Sequence, residues 1–307
     1  MPQASLDPIR VQVGPANYYS HPGALDRLTS FFPPEALAGA LWIGGARASA
    51  AVESYLPSFR AAGDRRVTFT GHCSESLVAS LATRVGTGPV IGLGGGSALD
   101  TAKAVAARAG RPFVAIPTIA ATCAAWTPLS VWYDDEGRAL PFEVFPQAAF
   151  LVLVEPRILA AAPAQYLQAG IGDTLAKWYE ARVLSRAVPR LPLAAQLGLD
   201  LSLTIRDLLL EAGPRAVEAN RRGEVTPDLV DVIDAVIAAG GSVGGFGERF
   251  TRVAAAHAVH NGLTALEETA SILHGAKVAF GILVQLHLEG LSDERDRLVR
   301  AYPALGL

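Results

Sequence analysis

Up to about residue 162 short β-rich runs alternate with stretches that suit a helix, and beyond Pro163 the strand-like runs become scarce. IRVQVG, ALWIGG, RRVTFTG, GPVIGLG and RPFVAIP each gather Val, Ile, Phe or Trp between turn or polar residues. Helix-compatible segments separate several of them, which is the rhythm of a largely parallel α/β sheet. VWYDDEGRALPFEVFP reads as a hairpin excursion before AAFLVLVEP resumes the β pattern. In YLQAGIGDTLAKWYEARVLSR, LAAQLGLDLSLTIRDLLLEAG and LVDVIDAVIAAGGSVGG the apolar residues recur at helical spacing instead. A chain of 307 residues is also longer than a single core readily fills. The expectation is an α/β domain over 1–162 and an all-helical domain over 163–307.

Charge and composition narrow the partners. Only 18% of residues are charged, the formal net charge is -3, and no basic block or basic–aromatic stripe occurs, so a nucleic-acid partner is not expected. The apolar half of the chain is broken by Gly, Pro and charge into pieces shorter than the roughly 20 residues that span a bilayer. MPQASLDPIRVQVG lacks the basic start and apolar stretch of a secretory signal, so a soluble cytoplasmic protein is the expectation. Cys73 and Cys123 do not form CxxC and are too few for a disulfide framework.

Two segments carry chemistry. In GLGGGSALDTAK, Gly92, Gly94, Gly95 and Gly96 follow a β-like run and precede a helix-compatible one. Bare glycine backbone lets a phosphate approach closely, and the N–H groups at the start of the helix face its charge. The pattern is neither GxGxxG, since Ser97 stands at the last glycine position, nor a P-loop, since no lysine follows the glycines directly. A pyrophosphate-binding turn is the reading, with a turn used only for packing as its alternative. The second segment begins at GIGDTLAKWYEAR, where Asp173 after Gly170 and Gly172 suits a helix start and a cap. AAHAVHNGLT and ILHGAKVAFG then add His257, His260 and His274. Asp173, His257 and His274 are the candidate ligands of one metal, zinc before iron, with a position open for an alcohol or carbonyl oxygen, and a helix cap or dipole partner at Asp173 is the alternative. His260, three residues beyond His257 on a shared helical face, is expected to support the ligands or to move a proton.

The ordered series GLGGGSALDTAKAVA, PTIAAT, LVLVEP, GIGDTLAKWYEAR, AAHAVHNGLT and LHGAKVAFGILVQL resembles the glycerol dehydrogenase branch of the metal-containing, often called iron-containing, alcohol dehydrogenase family. That resemblance implies a dehydroquinate synthase-like architecture, an α/β nucleotide domain followed by a helical metal domain with a catalytic cleft between them. It implies a homo-oligomer and hydride transfer between NAD and a small alcohol or polyol. On matching positions it makes Asp173, His257 and His274 the ligands and Gly94, Gly95 and Gly96 the pyrophosphate turn, and brings Thr118 and Thr122 near the nicotinamide. Ser97, Asp100 and Lys103 are counted with the cofactor-binding residues. Three departures modify the picture. Gly45 in LWIGGARAS replaces an acidic adenosine-ribose contact, and Arg47 beside it would admit the extra phosphate of NADP, although NAD is retained as the expected cofactor. Cys123 replaces the acidic residue of glycerol-oxidising members, and with Trp126 it is assigned to the substrate pocket, which makes glycerol itself doubtful. AYPALGL stops where longer relatives continue through further helices. The alternatives to a dehydrogenase are a metal-assisted lyase or cyclase using NAD transiently, and a noncatalytic scaffold.

Overall fold

The computed structural model describes residues 9–57, 65–186 and 188–307. Two units emerge: residues 14–162, and residues 163–307 joined by the segment 9–13. In the first, the elements in chain order are β1 (Asn17–Ser20), α1 (Leu28–Phe31), α2 (Pro34–Ala38), β2 (Leu41–Gly44), α3 (Ala46–Glu53), β3 (Arg66–Thr68), α4 (Glu75–Ala82), β4 (Val90–Gly94), α5 (Gly96–Ala109), β5 (Phe113–Pro117), β6 (Leu129–Ser130), β7 (Glu143–Val144), β8 (Leu151–Val154) and α6 (Pro156–Ala160). Six strands form one sheet in the order β1-β8-β5-β4-β2-β3, with every described pairing parallel. β2, β4, β5 and β8 are buried along their whole length, as expected of parallel strands covered on both faces, and this explains their unbroken apolar sequences. β6 and β7 pair antiparallel outside the main sheet, at the hairpin read from the sequence.

Strand order places the functional end of the sheet. From β2 the chain moves outward to β3, then returns to β4 on the other side of β2 and continues to β5. The direction of winding reverses between β2 and β4, and a crevice opens at the carboxyl ends of strands at such a point. Those ends are Gly44–Gly45 and Gly94–Gly96.

The second unit is helical among its described residues: α7 (Ala164–Arg186), α8 (Leu193–Arg221), α9 (Pro227–Asp234), a π-helical turn at Ala235–Ala239, α10 (Gly240–Gly247), α11 (Ala255–Leu263), α12 (His274–Leu288) and α13 (Ser292–Leu305). Glycine sets its tightest contacts. A Cβ built on Gly275 of α12 would lie 1.7 Å from the Ala169 carbonyl oxygen of α7, and one on Gly172 of α7 would lie 2.5 Å from the Gly275 carbonyl oxygen. A Cβ on Gly281 would come within 2.3 Å of the Ala256 carbonyl oxygen of α11. The backbones of α7 and α11 therefore both touch α12 where α12 has no side chain.

Three expectations change. IRVQVG alternates like a strand, but among the described residues, 9–13 join no strand; the Gln12 N–H donates to the Gly245 carbonyl at 3.0 Å, and the edge strand is Asn17–Ser20. Asp173 does not begin a helix: it lies in the middle of the 23-residue α7, where Gly172 serves packing rather than chain reversal. Pro227–Phe250 is long and apolar enough to cross a membrane by composition, with mean hydropathy 1.6 over its most apolar window. That window is 56% buried within the protein, which accounts for its apolarity.

Candidate metal centre and nucleotide turn

Asp173 projects from the middle of α7, His257 from α11 and His274 from the first residue of α12. One potential ligand atom from each lies within 4.8 Å of the others. His257 Nε2 is 3.3 Å and His274 Nε2 3.2 Å from the same carboxylate oxygen, Asp173 Oδ1. For metal bonds of about 2.0–2.1 Å, the edge of a tetrahedron is about 3.3–3.4 Å, so these separations suit a shared small cation. Asp173 is 5% exposed, whereas the His274 side chain is 42% exposed, so the buried end of the group is anionic and the open end is imidazole.

The groups behind the donors support the same chemistry. Glu180, fully buried two turns beyond Asp173 on α7, accepts from His257 Nδ1 at 2.7 Å. His274 Nδ1 lies 2.9 Å from His260 Nε2, and His260 Nδ1 lies 3.0 Å from Asn261 Oδ1. In both His257 and His274 the Nδ1 side is engaged and the Nε2 side faces Asp173, an orientation that suits ligating imidazoles. Burial alone would raise the Asp173 carboxyl, but the Lys177 ammonium and the two imidazoles hold it well below the usual carboxylate range. Burial pulls His257 down, yet Asp173 and Glu180 outweigh it and push the imidazole up to about 9. Burial, with His274 beside it, lowers His260 to about 4. His260 therefore stands behind His274 as a neutral base rather than joining the three convergent donors. The donor set fits a divalent metal.

The glycine turn lies in the α/β unit. Gly94 ends β4 with φ 140°, a conformation that L side chains rarely adopt, and a Cβ on Gly95 would meet Ile119 Cδ1 at 2.6 Å. Gly95 caps α5 without a side chain, so the N–H groups of Gly96, Ser97 and Ala98 have no acceptor within the helix. The segment 118–124 closes around them. Thr118 N–H donates to the Gly94 carbonyl at 3.1 Å, and Thr122 Oγ1 lies 3.4 Å from the place a Gly96 Cβ would take. Gly94, Gly95, Gly96, Ser97, Thr118 and Thr122 thus share one turn.

Asp100 and Lys103 are set apart from it. Only 6% and 2% exposed, they face each other at 3.1 Å; Lys103 Nζ also donates to the Leu129 carbonyl, and Asp100 Oδ2 accepts from Val131 N–H at 3.1 Å. Their charges tie α5 to β6, a structural task that their helical spacing alone did not disclose. Cys123 is half-buried, and its carbonyl closes the turn that carries Trp126. Trp126 packs edge-on to Tyr18 at 5.1 Å and occupies the space beside Gly14. Glu180 escaped the sequence reading. The signal was present as an acidic residue seven positions after Asp173, a spacing that returns to the same helix face.

The profile of the iron-containing alcohol dehydrogenase family matches residues 15–156. Hydroxycarboxylate dehydrogenase A of Escherichia coli is 57% identical over 299 residues, covering 96% of this chain and 83% of the relative. A glycerol dehydrogenase of Pseudomonas putida is 44% identical over 248 residues, or 78% of this chain and 67% of its own. Among solved structures, a probable glycerol dehydrogenase from Sinorhizobium meliloti superposes with a TM-score of 0.84 at 32% identity, covering 97% of this chain and 84% of that one. The chain belongs to the iron-containing alcohol dehydrogenase family, with its dehydroquinate synthase-like fold. Its class is that of metal-dependent oxidoreductases that exchange hydride between a nicotinamide cofactor and an alcohol, which selects that reading over the lyase.

Proposed function

We propose that this enzyme interconverts a small hydroxycarboxylate and its oxocarboxylate, with Asp173, His257 and His274 holding a divalent metal, zinc before iron, and with NAD before NADP as cofactor. The metal supplies a Lewis acid for the reacting oxygen, and the nicotinamide supplies or accepts hydride. Every other contribution comes from the chain. The Asp173 carboxylate and the two Nε2 atoms provide the ligands, while Glu180 and His260 orient the imidazoles from behind. The bare turn at Gly94–Gly96 and the first N–H groups of α5 suit a pyrophosphate. Thr118 and Thr122 border that turn. His260, held neutral by burial and by His274, contributes by engaging His274 Nδ1 and leaving His274 Nε2 toward Asp173.

Cys123 carries the substrate reading. The resemblance puts an acid at this position in glycerol-oxidising members, and an acid would repel a carboxylate substrate that a neutral thiol admits. The E. coli hydroxycarboxylate dehydrogenase, at 57% identity, supports the same choice. Glycerol and other small polyols form the second reading, favoured by the glycerol dehydrogenase relatives. The test compares kcat/KM of the zinc-loaded enzyme for short 2-oxo- and 3-oxocarboxylates with that for dihydroxyacetone, glycerol and simple alcohols. Preference for the oxocarboxylates, reduced in Cys123→Asp while polyol turnover rises, is expected. A parent that prefers polyols overturns the hydroxycarboxylate reading. A homo-oligomer in the cytoplasm completes the proposal, its size to be read by light scattering.

A further inference from the structure

We infer that Glu180 is a positioning residue of the metal centre: it fixes the tautomer of His257, so that Nε2 presents a lone pair to the metal, and in the same contact it caps the helix that carries His257. The inference rests on the proposed ligand set. Glu180 is fully buried on α7, and its two oxygens receive three donors. Oε1 accepts from the backbone N–H of Ala254 at 2.7 Å and of His257 at 2.9 Å, and Oε2 accepts from His257 Nδ1 at 2.7 Å.

The backbone contacts answer a local question. α11 begins after Ala254, which has no side-chain oxygen for the first-turn N–H groups, and the sequence AAHAVH contains no Ser, Thr, Asp or Asn in that place. Caps arrive from other helices instead: Glu180 takes Ala254 and His257 N–H, and Gln285 Oε1 takes Ala256 N–H at 3.1 Å. The positive end of α11 in turn favours an anion there.

The ring contact sets the chemistry. Both carboxylates only accept, but Glu180 lies 2.7 Å from Nδ1 and Asp173 3.3 Å from Nε2, so the closer contact holds the proton of the neutral imidazole on Nδ1 and leaves the lone pair on Nε2. A glutamine in the same place separates this role from capping. Its carbonyl oxygen can keep both backbone N–H groups, but its NH2 then faces Nδ1. That arrangement demands a lone pair on Nδ1 and moves the proton to Nε2, the tautomer that cannot ligate through Nε2. The reversed amide would set NH2 against two N–H donors, which is worse.

The experiment measures zinc affinity of demetallated parent, Glu180→Gln and Glu180→Ala by competition with a chromogenic chelator. It also records the His257 tautomer of the demetallated proteins, at a pH where the ring is neutral, in long-range 1H–15N spectra of 15N-histidine-labelled protein. Glu180→Gln should unfold within a few degrees of the parent yet bind zinc about 10–100-fold more weakly, with the His257 proton moved to Nε2. Zinc affinity within twofold of the parent, with the proton still on Nδ1, overturns the inference even if Glu180→Ala fails to fold. A parent that binds no zinc overturns the ligand set itself, and the inference with it.

Discussion

Replacing Gly275 with Ala tests whether helix contact sets the metal centre. The added Cβ would lie 1.7 Å from the Ala169 carbonyl oxygen, whereas real Cβ atoms essentially never approach within 3.0 Å. The backbones of α7 and α12 must therefore separate by at least 3.0 − 1.7 = 1.3 Å, unless one of them deforms. Gly275 adjoins His274, and Ala169 lies one turn before Asp173, so the displacement is delivered to two of the three donors. Metal sites tolerate errors of about 0.2 Å in ligand distance, several times less than this shift. Zinc affinity should fall by at least the roughly 10–100-fold that loss of an orienting partner costs. Overpacking should destabilise the protein by about 1–3 kcal/mol, or about 2–12 °C in Tm on the scale of 150–250-residue domains. Gly262→Ala is the control: it lies in α11 with nothing within 4 Å of its Cβ, and should be neutral or stabilising by about 0.5–1 kcal/mol. Calorimetry and chelator competition on both variants give the comparison. Zinc affinity of Gly275→Ala within twofold of the parent would refute the argument that this crossing sets the donor spacing.

Other outcomes follow from particular contacts. Asp173→Asn should keep its shape but lose zinc by more than the roughly 10–100-fold cost of an altered supporting contact, as read by dialysis and metal analysis. Gly45 leaves open space for a Cβ, with its nearest neighbour 3.9 Å away, and exposed Arg47 stands two residues on. Dissociation constants for NAD and NADP within about tenfold are expected, with Gly45→Asp weakening NADP selectively by about tenfold or more, as for an unpaired like charge worth about 1.4 kcal/mol. Burial would raise the Glu155 carboxyl, but Arg157 and the Gly23 N–H outweigh it and hold it below its usual range. A carboxyl lowered in the folded state stabilises above its unfolded value, about 4.3, and loses that contribution as pH falls through the folded value. Thermal melts should therefore show the parent weakening more steeply than Glu155→Gln below about pH 4.3, and Glu155→Gln less stable by about 1–3 kcal/mol at neutral pH.

Sequence pattern disclosed what depends on periodicity and residue type. The strands β2, β4, β5 and β8 are unbroken apolar runs, and α7, α8, α9 and α10 fall in segments of helical spacing, so each is legible in the sequence. Asp173, His257 and His274 could be named as candidates because few residue types hold a metal, and the fold brings one potential ligand atom of each within 4.8 Å of the others. What escaped depends on neighbours. NYYS becomes a strand because β8 offers it an edge, while IRVQVG alternates better and has no such edge. Gly172 looked like a helix boundary because its real function, admitting α12, involves a residue 103 positions away. The buried pair of Asp100 and Lys103 ties α5 to the segment of β6, a contact that their helical spacing does not disclose. Glu180 is an ordinary acidic residue in a charged helix until α11 folds onto it.

Placing all three donors on regular helices has a thermodynamic consequence. A ligand on a loop must be immobilised when its ion arrives, and ordering a residue costs about 1–2 kcal/mol in backbone freedom alone. Asp173 is fixed mid-helix, while His257 and His274 belong to helices locked against α12 and α7 backbone at Gly281 and Gly275. Their conformational entropy is surrendered when the chain folds, before any ion is encountered. The enzyme should behave as a rigid receptor for its metal: chelation should silence it reversibly, and re-addition should restore it without a refolding phase.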